Sequence, residues 1–309
     1  MCQNSLSTIS KLFIEEKIYG ARVRSDDLGG GIRRVQASTG PIRSAGMVSS
    51  CYLVGNALVD TSYAFVRAHV LAMFDVSTIE AILLTHHHED HTANAAALQV
   101  RHGCPVYLSQ PEARFEEGMH HLLPYRLVYW GTPEPYEPLE MPSEIVVGSR
   151  KFQTIRTPGH SRTHSCIFDT QTGTVFSGDL FVSTGASAVM TYENPYHLVA
   201  SLRTVADLEP ARLLSGHGLD LENPSKALRR KADAVEKAST QVVELDRLGF
   251  GLAEIREKVF DQGARKDLMM KVVTQGEFSR DNFIRASLRH RGSTLESLDS
   301  SSRLSLETS

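Results

Sequence analysis

The stretch Ala81-Ile82-Leu83-Leu84-Thr85-His86-His87-His88-Glu89-Asp90-His91 decides how the chain folds. Its first five residues form a short apolar run of the kind a buried strand shows, and residues 93 to 102 have helical periodicity. Four metal-ligand types, His86, His88, Asp90 and His91, therefore stand where a core strand turns into a helix. In an extended segment His86 and His88 point the same way, while Asp90 and His91 at the turn face a second point a few ångströms off. That spacing suits two ions better than one, and so dense a polar cluster directly behind a core strand would be odd without an ion. His87, between two ligands, should face away.

Three later segments have one form, an apolar strand ending in a ligand type beside glycine. They are Thr157-Pro158-Gly159-His160, Phe176-Ser177-Gly178-Asp179 and Leu214-Ser215-Gly216-His217. Glycine lets the backbone turn sharply near an ion. Any one alone would pass for an ordinary loop, but together with the 86–91 cluster they read as one constellation.

Around these motifs the chain alternates. From Gly31 to Thr61 apolar runs separated by turn residues predict antiparallel strands, and residues 63–73, 81–85, 93–102 and 105–109 continue as helix, strand, helix, strand. Six prolines between residues 111 and 142 predict an irregular insertion or lid, whose Tyr125, Tyr129 and Trp130 either line a pocket or pack on the sheet. Two hairpin-like pairs follow from Glu144, then a helix near 196–207 and a strand at 211–216. Asn223-Pro224 predicts the cap and first turn of a long amphipathic helix running to Gly249, with shorter helices over 252–260 and 280–288. The domain plan is thus an N-terminal extension over 1–30, a sheet-containing domain with the ligand-type motifs over 31–218, a helical region over 219–291, and a serine-rich tail over 292–309 too poor in apolar residues to order itself.

A net charge of -3 over 309 residues gives no field for holding a polyanion. Residues 256–291 carry nine Lys or Arg against five Asp or Glu, a mild excess that leaves RNA contact open without favouring it. Four cysteines without CxxC spacing read as reduced thiols, and no basic leader or 18-residue apolar run is present, so a cytoplasmic protein with no membrane partner is expected.

The set His86, His88, Asp90 and His91, with His160, Asp179 and His217 in that order, resembles the metallo-β-lactamase superfamily and its HxHxDH hallmark. The resemblance covers roughly residues 31 to 218. It implies an α/β (α+β) fold, the αββα sandwich, with a helical C-terminal region like that of β-lactamase-like protein 2 and the thioesterases of this fold. By carry-over, His86, His88 and His160 hold one metal, Asp90, His91 and His217 the other, and Asp179 bridges them. Asp60 and His164 would stand behind the ligands. Two Zn2+ per chain are implied, with iron or manganese accepted by the same donors. A metal-bridging hydroxide would then attack an ester, thioester or lactone of a small-molecule substrate, with Asp90 also able to accept a proton. An endoribonuclease and a mononuclear iron persulfide dioxygenase are the alternatives, and a homodimer is left open. Asp179 in place of cysteine argues against the main β-lactamases, and no GCGR-type segment follows it, which disfavours glutathione-derived substrates. Deleting residues 292–309 is expected to leave turnover intact; a large loss would show that the tail folds over the site.

Overall fold

The computed structural model describes residues 11–12, 14–119, 122–260 and 264–292, without the side chains of 264–266. Nearly all of the serine-rich tail lies outside the described residues. The chain divides into two compact units, one of Met1–Arg156, Thr163–Val182 and Ala211–Glu222, the other of Thr157–Arg162, Ser183–Pro210 and Asn223–Ser309.

The first unit holds two sheets. Strands β1 (Arg22–Asp27), β2 (Ile32–Ser38), β3 (Ser49–Val54), β4 (Ala57–Val59), β5 (Ala81–Leu83), β6 (Val106–Leu108) and β7 (Leu139–Glu140) lie side by side in chain order. The ladders from β1 to β4 are antiparallel; those from β4 to β7 are parallel. The second sheet has the order β14-β13-β11-β10-β9-β8, from β8 (Glu144–Val147), β9 (Arg150–Arg156), β10 (Ser165–Asp169), β11 (Thr174–Phe176), β13 (Arg212–Leu214) and β14 (Asp220–Glu222). Here β11 and β13 alone run parallel.

Period-two alternation sorts the apolar residues into two cores. Tyr52, Val54, Val59 and Leu83 of the first sheet meet Phe152, Ile167, Phe176 and Leu214 of the second. The alternate residues Cys51, Leu58, Ile82 and Val106 pack with Val70, Phe74 and Leu98 from the helices Arg67–Met73 and Ala95–His102 and the turn after the first of them. Each fully buried aliphatic or aromatic side chain contributes about 1.5–3 kcal/mol, so the strands stand on burial.

The proline-rich segment is more regular than its sequence suggests. It contains helices Ala113–Glu116 and Pro124–Trp130 and ends in β7, the edge strand beside β6. Pro124 opens a helix because its missing N–H is unused in the first turn. Trp130 meets Tyr63 edge-on at 5.2 Å and packs on the core. The sheet also begins earlier than Gly31, since β1 pairs with β2 over six positions.

In the second unit Asn194 caps the helix Pro195–Asp207, its Oδ1 accepting from Tyr196 N at 3.0 Å. The long helix Ser225–Arg247 starts behind Pro224, which itself occupies the cap position, so the capping expected of Asn223 does not form. Helices Leu252–Val259, Ala264–Val273 and Arg280–Arg289 follow, the last capped by Ser279 Oγ on Asn282 N, and β12 (Val189–Met190) pairs with β15 (Phe278–Ser279). No helix among the described residues is long and apolar enough to cross a membrane.

Candidate metal centre

Asp60 directly follows β4, His86 to His91 follow β5, Asp179 follows β11 and His217 follows β13. Because β4 and β5 are parallel, and β11 and β13 likewise, strand ends that are distant in sequence emerge side by side. Loops beyond the carboxyl ends of parallel strands are where such sheets place ligands. Backbone bonds knit them together: Ser50 N donates to Gly216 O at 2.7 Å, and Gly216 N to Gly178 O at 2.9 Å. Gly178 has φ +45°, and a Cβ there would lie 2.6 Å from Thr85 Oγ1, so only glycine fits.

The donor atoms form two groups. His86 Nε2 lies 3.0 Å from His88 Nδ1, and donor atoms of both lie within 4.8 Å of one on Asp179. Donor atoms of Asp90, His91 and His217 form a second group within the same limit. His91 Nε2 is 3.6 Å from Asp90 Oδ2 and 3.3 Å from Asp179 Oδ1, and His217 Nε2 is 3.1 Å from that same oxygen. The Asp179 carboxylate thus faces both imidazoles of the second group and belongs to the first. Adjacent ligands of a tetrahedral ion with bonds of about 2.1 Å stand roughly 3.4 Å apart, close to these separations.

The imidazoles are aimed from behind. His91 Nδ1 donates to Asp60 Oδ2 at 2.8 Å, and His217 Nδ1 to the carbonyl of Val48 at 2.8 Å, so each turns Nε2 toward the carboxylates. Asp60 also accepts from Thr85 N at 2.8 Å and from Thr85 Oγ1 at 2.9 Å, and that hydroxyl lies 3.1 Å from His86 Nδ1. One carboxylate thereby orients a histidine of each group, from a backbone of φ +57°. His164 Nε2 accepts from Asp179 N at 3.1 Å, fixing the loop that carries the bridging candidate. Ser49 Oγ donates to Asp90 O at 2.7 Å. His87 turns away, its Nδ1 3.0 Å from Thr163 Oγ1. His160 stands on the loop Thr157–Arg162 of the second unit, its Nδ1 3.4 Å from Glu193 Oε2.

Sequence reasoning missed Val48 and Glu193, along with Arg126, which pairs with Glu89 at 2.9 Å where both are buried. A backbone carbonyl leaves no mark in sequence, and the two charged residues sit in segments without motif character. Burial raises the Glu89 carboxyl above its ordinary value, against the pull of Arg126.

The charges fit cations. Burial alone would lower both histidines, but Asp179 and Asp90 push His217 up to about 9, and Asp90, Asp179 and Asp60 raise His91 well above its ordinary value. Burial opposes ionisation of Asp179, yet His217 and His91 hold its carboxyl well below the usual range. The buried His91 Nε2 has no hydrogen-bond partner, as a nitrogen reserved for an ion would not. In metal-free protein the neighbouring carboxylates favour the protonated form of both imidazoles. Their raised values contribute stability that is fully present below about 6.5 and is lost as pH rises through about 9 for His217. Metal binding needs them neutral, so uptake at pH 7 should release protons. Calorimetry in buffers of differing ionisation enthalpy measures this, and zero release would contradict protonated ligands.

Residues 45–217 match the family model of the metallo-beta-lactamase superfamily. The hydroxyacylglutathione hydrolase of Marinomonas sp. (strain MWYL1) is 33% identical over 153 residues, 49% of this chain and 52% of that protein. The chain spans about half the length of the curated relatives it matches. Among solved structures, a beta-lactamase domain protein from Burkholderia ambifaria aligns over 85% of this chain and 87% of its own with a TM-score of 0.62 at 19% identity. TTHA1623 in a di-iron-bound form aligns over 59% of this chain and 93% of its own, with a TM-score of 0.50 at 28% identity. A family match over more than half the chain, on a two-sheet fold with the strand-end histidines and aspartates in place, makes this chain a member of the metallo-beta-lactamase superfamily.

Proposed function

We propose that the protein is a dinuclear metal-dependent hydrolase acting on an ester, thioester or lactone of a small molecule. The observation that carries this reading is the pair of donor groups at adjoining strand ends, with two imidazoles held at Nδ1 and aimed by Nε2. His86, His88 and Asp179, with His160, would hold one metal; Asp90, His91 and His217, sharing Asp179, would hold the other. When bound, the pair supplies activated water and a Lewis acid for the substrate's carbonyl oxygen. The chain's own contribution is to fix the donors and handle the proton. Asp60 and Val48 keep the imidazoles from rotating, and Asp90 Oδ2, 3.6 Å from both His91 Nε2 and His217 Nε2, would hold the metal with them and could accept a proton. No serine or cysteine nucleophile is called for.

The similarity to a hydroxyacylglutathione hydrolase supports thioesters within this class, and the di-iron neighbour supports iron beside zinc. The buried thiols of Cys51 and Cys104, neither of them in a disulfide, support a reducing, cytoplasmic setting. The test is metal analysis of purified protein alongside a panel of thioesters, lactones and bis-p-nitrophenyl phosphate. Two metals per chain with carbonyl turnover is the expected result. Phosphodiester turnover alone would replace this reading with a nuclease. One iron per chain, neither hydrolysis, and oxygen uptake with thiol substrates would replace it with a dioxygenase.

A further inference from the structure

We propose that Glu193 is the positioning residue for His160, gripping the imidazole at Nδ1 so that Nε2 is the nitrogen offered to a metal. The inference rests on the reading of His160 as a ligand and concerns contacts within the second unit alone. Glu193 is buried, and its two oxygens are divided: Oε1 accepts from Met190 N at 2.8 Å while Oε2 lies 3.4 Å from His160 Nδ1. The Met190 bond anchors the carboxylate against the chain, leaving the second oxygen for the ring.

The backbone beneath His160 is fixed by the same stretch of chain. Asn194 N donates to Gly159 O at 2.8 Å, and Ser201 Oγ donates to Pro158 O at 2.7 Å. Gly159, at φ +135°, is pressed so closely on the helix Pro195–Asp207 that a Cβ would stand 2.4 Å from Leu198 N. With the main chain held, what remains to His160 is rotation of its side chain, which Glu193 restrains at Nδ1. His91 and His217 are treated alike, by Asp60 and by the Val48 carbonyl. A carboxylate behind a ligand imidazole fixes its tautomer and strengthens it as a donor, and losing such a partner typically costs about 10- to 100-fold in metal affinity.

The experiment uses the full chain, stripped and reloaded with Zn2+ or Co2+. Glu193→Ala should weaken one of the two bound metals by about 10- to 100-fold in competition with a chromogenic chelator, and shift the visible absorption of the Co2+-loaded protein. Glu193→Gln, which keeps an acceptor and the volume, should recover part of the affinity with a smaller shift. A Glu193→Ala protein that binds both metals as tightly as the parent, with an unchanged Co2+ spectrum, overturns the proposal and leaves Glu193 an anchor for Met190. Should the alanine variant fail to fold, an unchanged spectrum and affinity in Glu193→Gln overturns it equally. His160→Ala separates the premises. If that protein still holds two metals, His160 is no ligand and the metal assignment fails; if it holds one while Glu193→Ala binds both as tightly as the parent, positioning by Glu193 alone fails.

Discussion

An Asp90→Ala protein is expected to keep its far-ultraviolet circular dichroism and to lose hydrolysis by about a thousandfold or more, beyond the 10- to 100-fold typical of losing a group behind a ligand. The carboxylate faces His91 Nε2 and His217 Nε2 at 3.6 Å, so its removal takes a donor from the second group and the proton acceptor with it. The fold does not depend on it. The strands stand on apolar burial at residues such as Leu83, Phe176 and Leu214, so losing one carboxylate beyond the strand ends leaves the core intact. Turnover on the substrate panel and a thermal melt check both halves, and a wholly unfolded Asp90→Ala chain would contradict the account.

The second large effect is expected at Asp60. Alanine there strands Thr85 N and His91 Nδ1, both buried, and must also adopt φ +57°, which aspartate tolerates better. The expected cost is about 3 kcal/mol or more. That corresponds to a melting temperature lowered by roughly 6–12 °C. Asp60→Asn keeps the shape and eases the backbone cost, so its loss reports the carboxylate. Because Asp60 aims His91 directly and His86 through Thr85, the asparagine protein should bind both metals more weakly, read by chelator competition. Loss confined to one metal would show that the link through Thr85 Oγ1 carries nothing.

The site was more legible in the sequence than the scaffold around it. The ligand types sit in short motifs at the ends of apolar strands, the three later ones beside glycine, and Asp60 likewise ends an apolar strand, so chemistry and position coincide. Strand β1, Arg-Val-Arg-Ser-Asp-Asp, escaped notice because an edge strand exposed at most positions needs no apolar alternation. Helix Ala264–Val273 was missed because Leu268, Met269 and Val272 lie exposed, so its apolar residues do not mark a buried face. Strand β7 was hidden among prolines that in fact stand outside the ladder. Val48 acts through its carbonyl and Glu193 through a contact made only after folding, and neither property is written locally.

The junction between Ser50 and Gly216 has a consequence for the order of assembly. The second donor group joins Asp90 and His91, made early, to His217, made more than a hundred residues later. A nascent chain that has emerged only through Asp179 already carries His86, His88, His160 and Asp179, while Asp90 and His91 still lack their third partner. The second donor group is therefore complete only when the β13 end docks through Gly216 against Ser50 and Gly178. If two ions bind as proposed, full loading would report that both sheets have closed, which would place inspection of the fold and activation of the site in a single event.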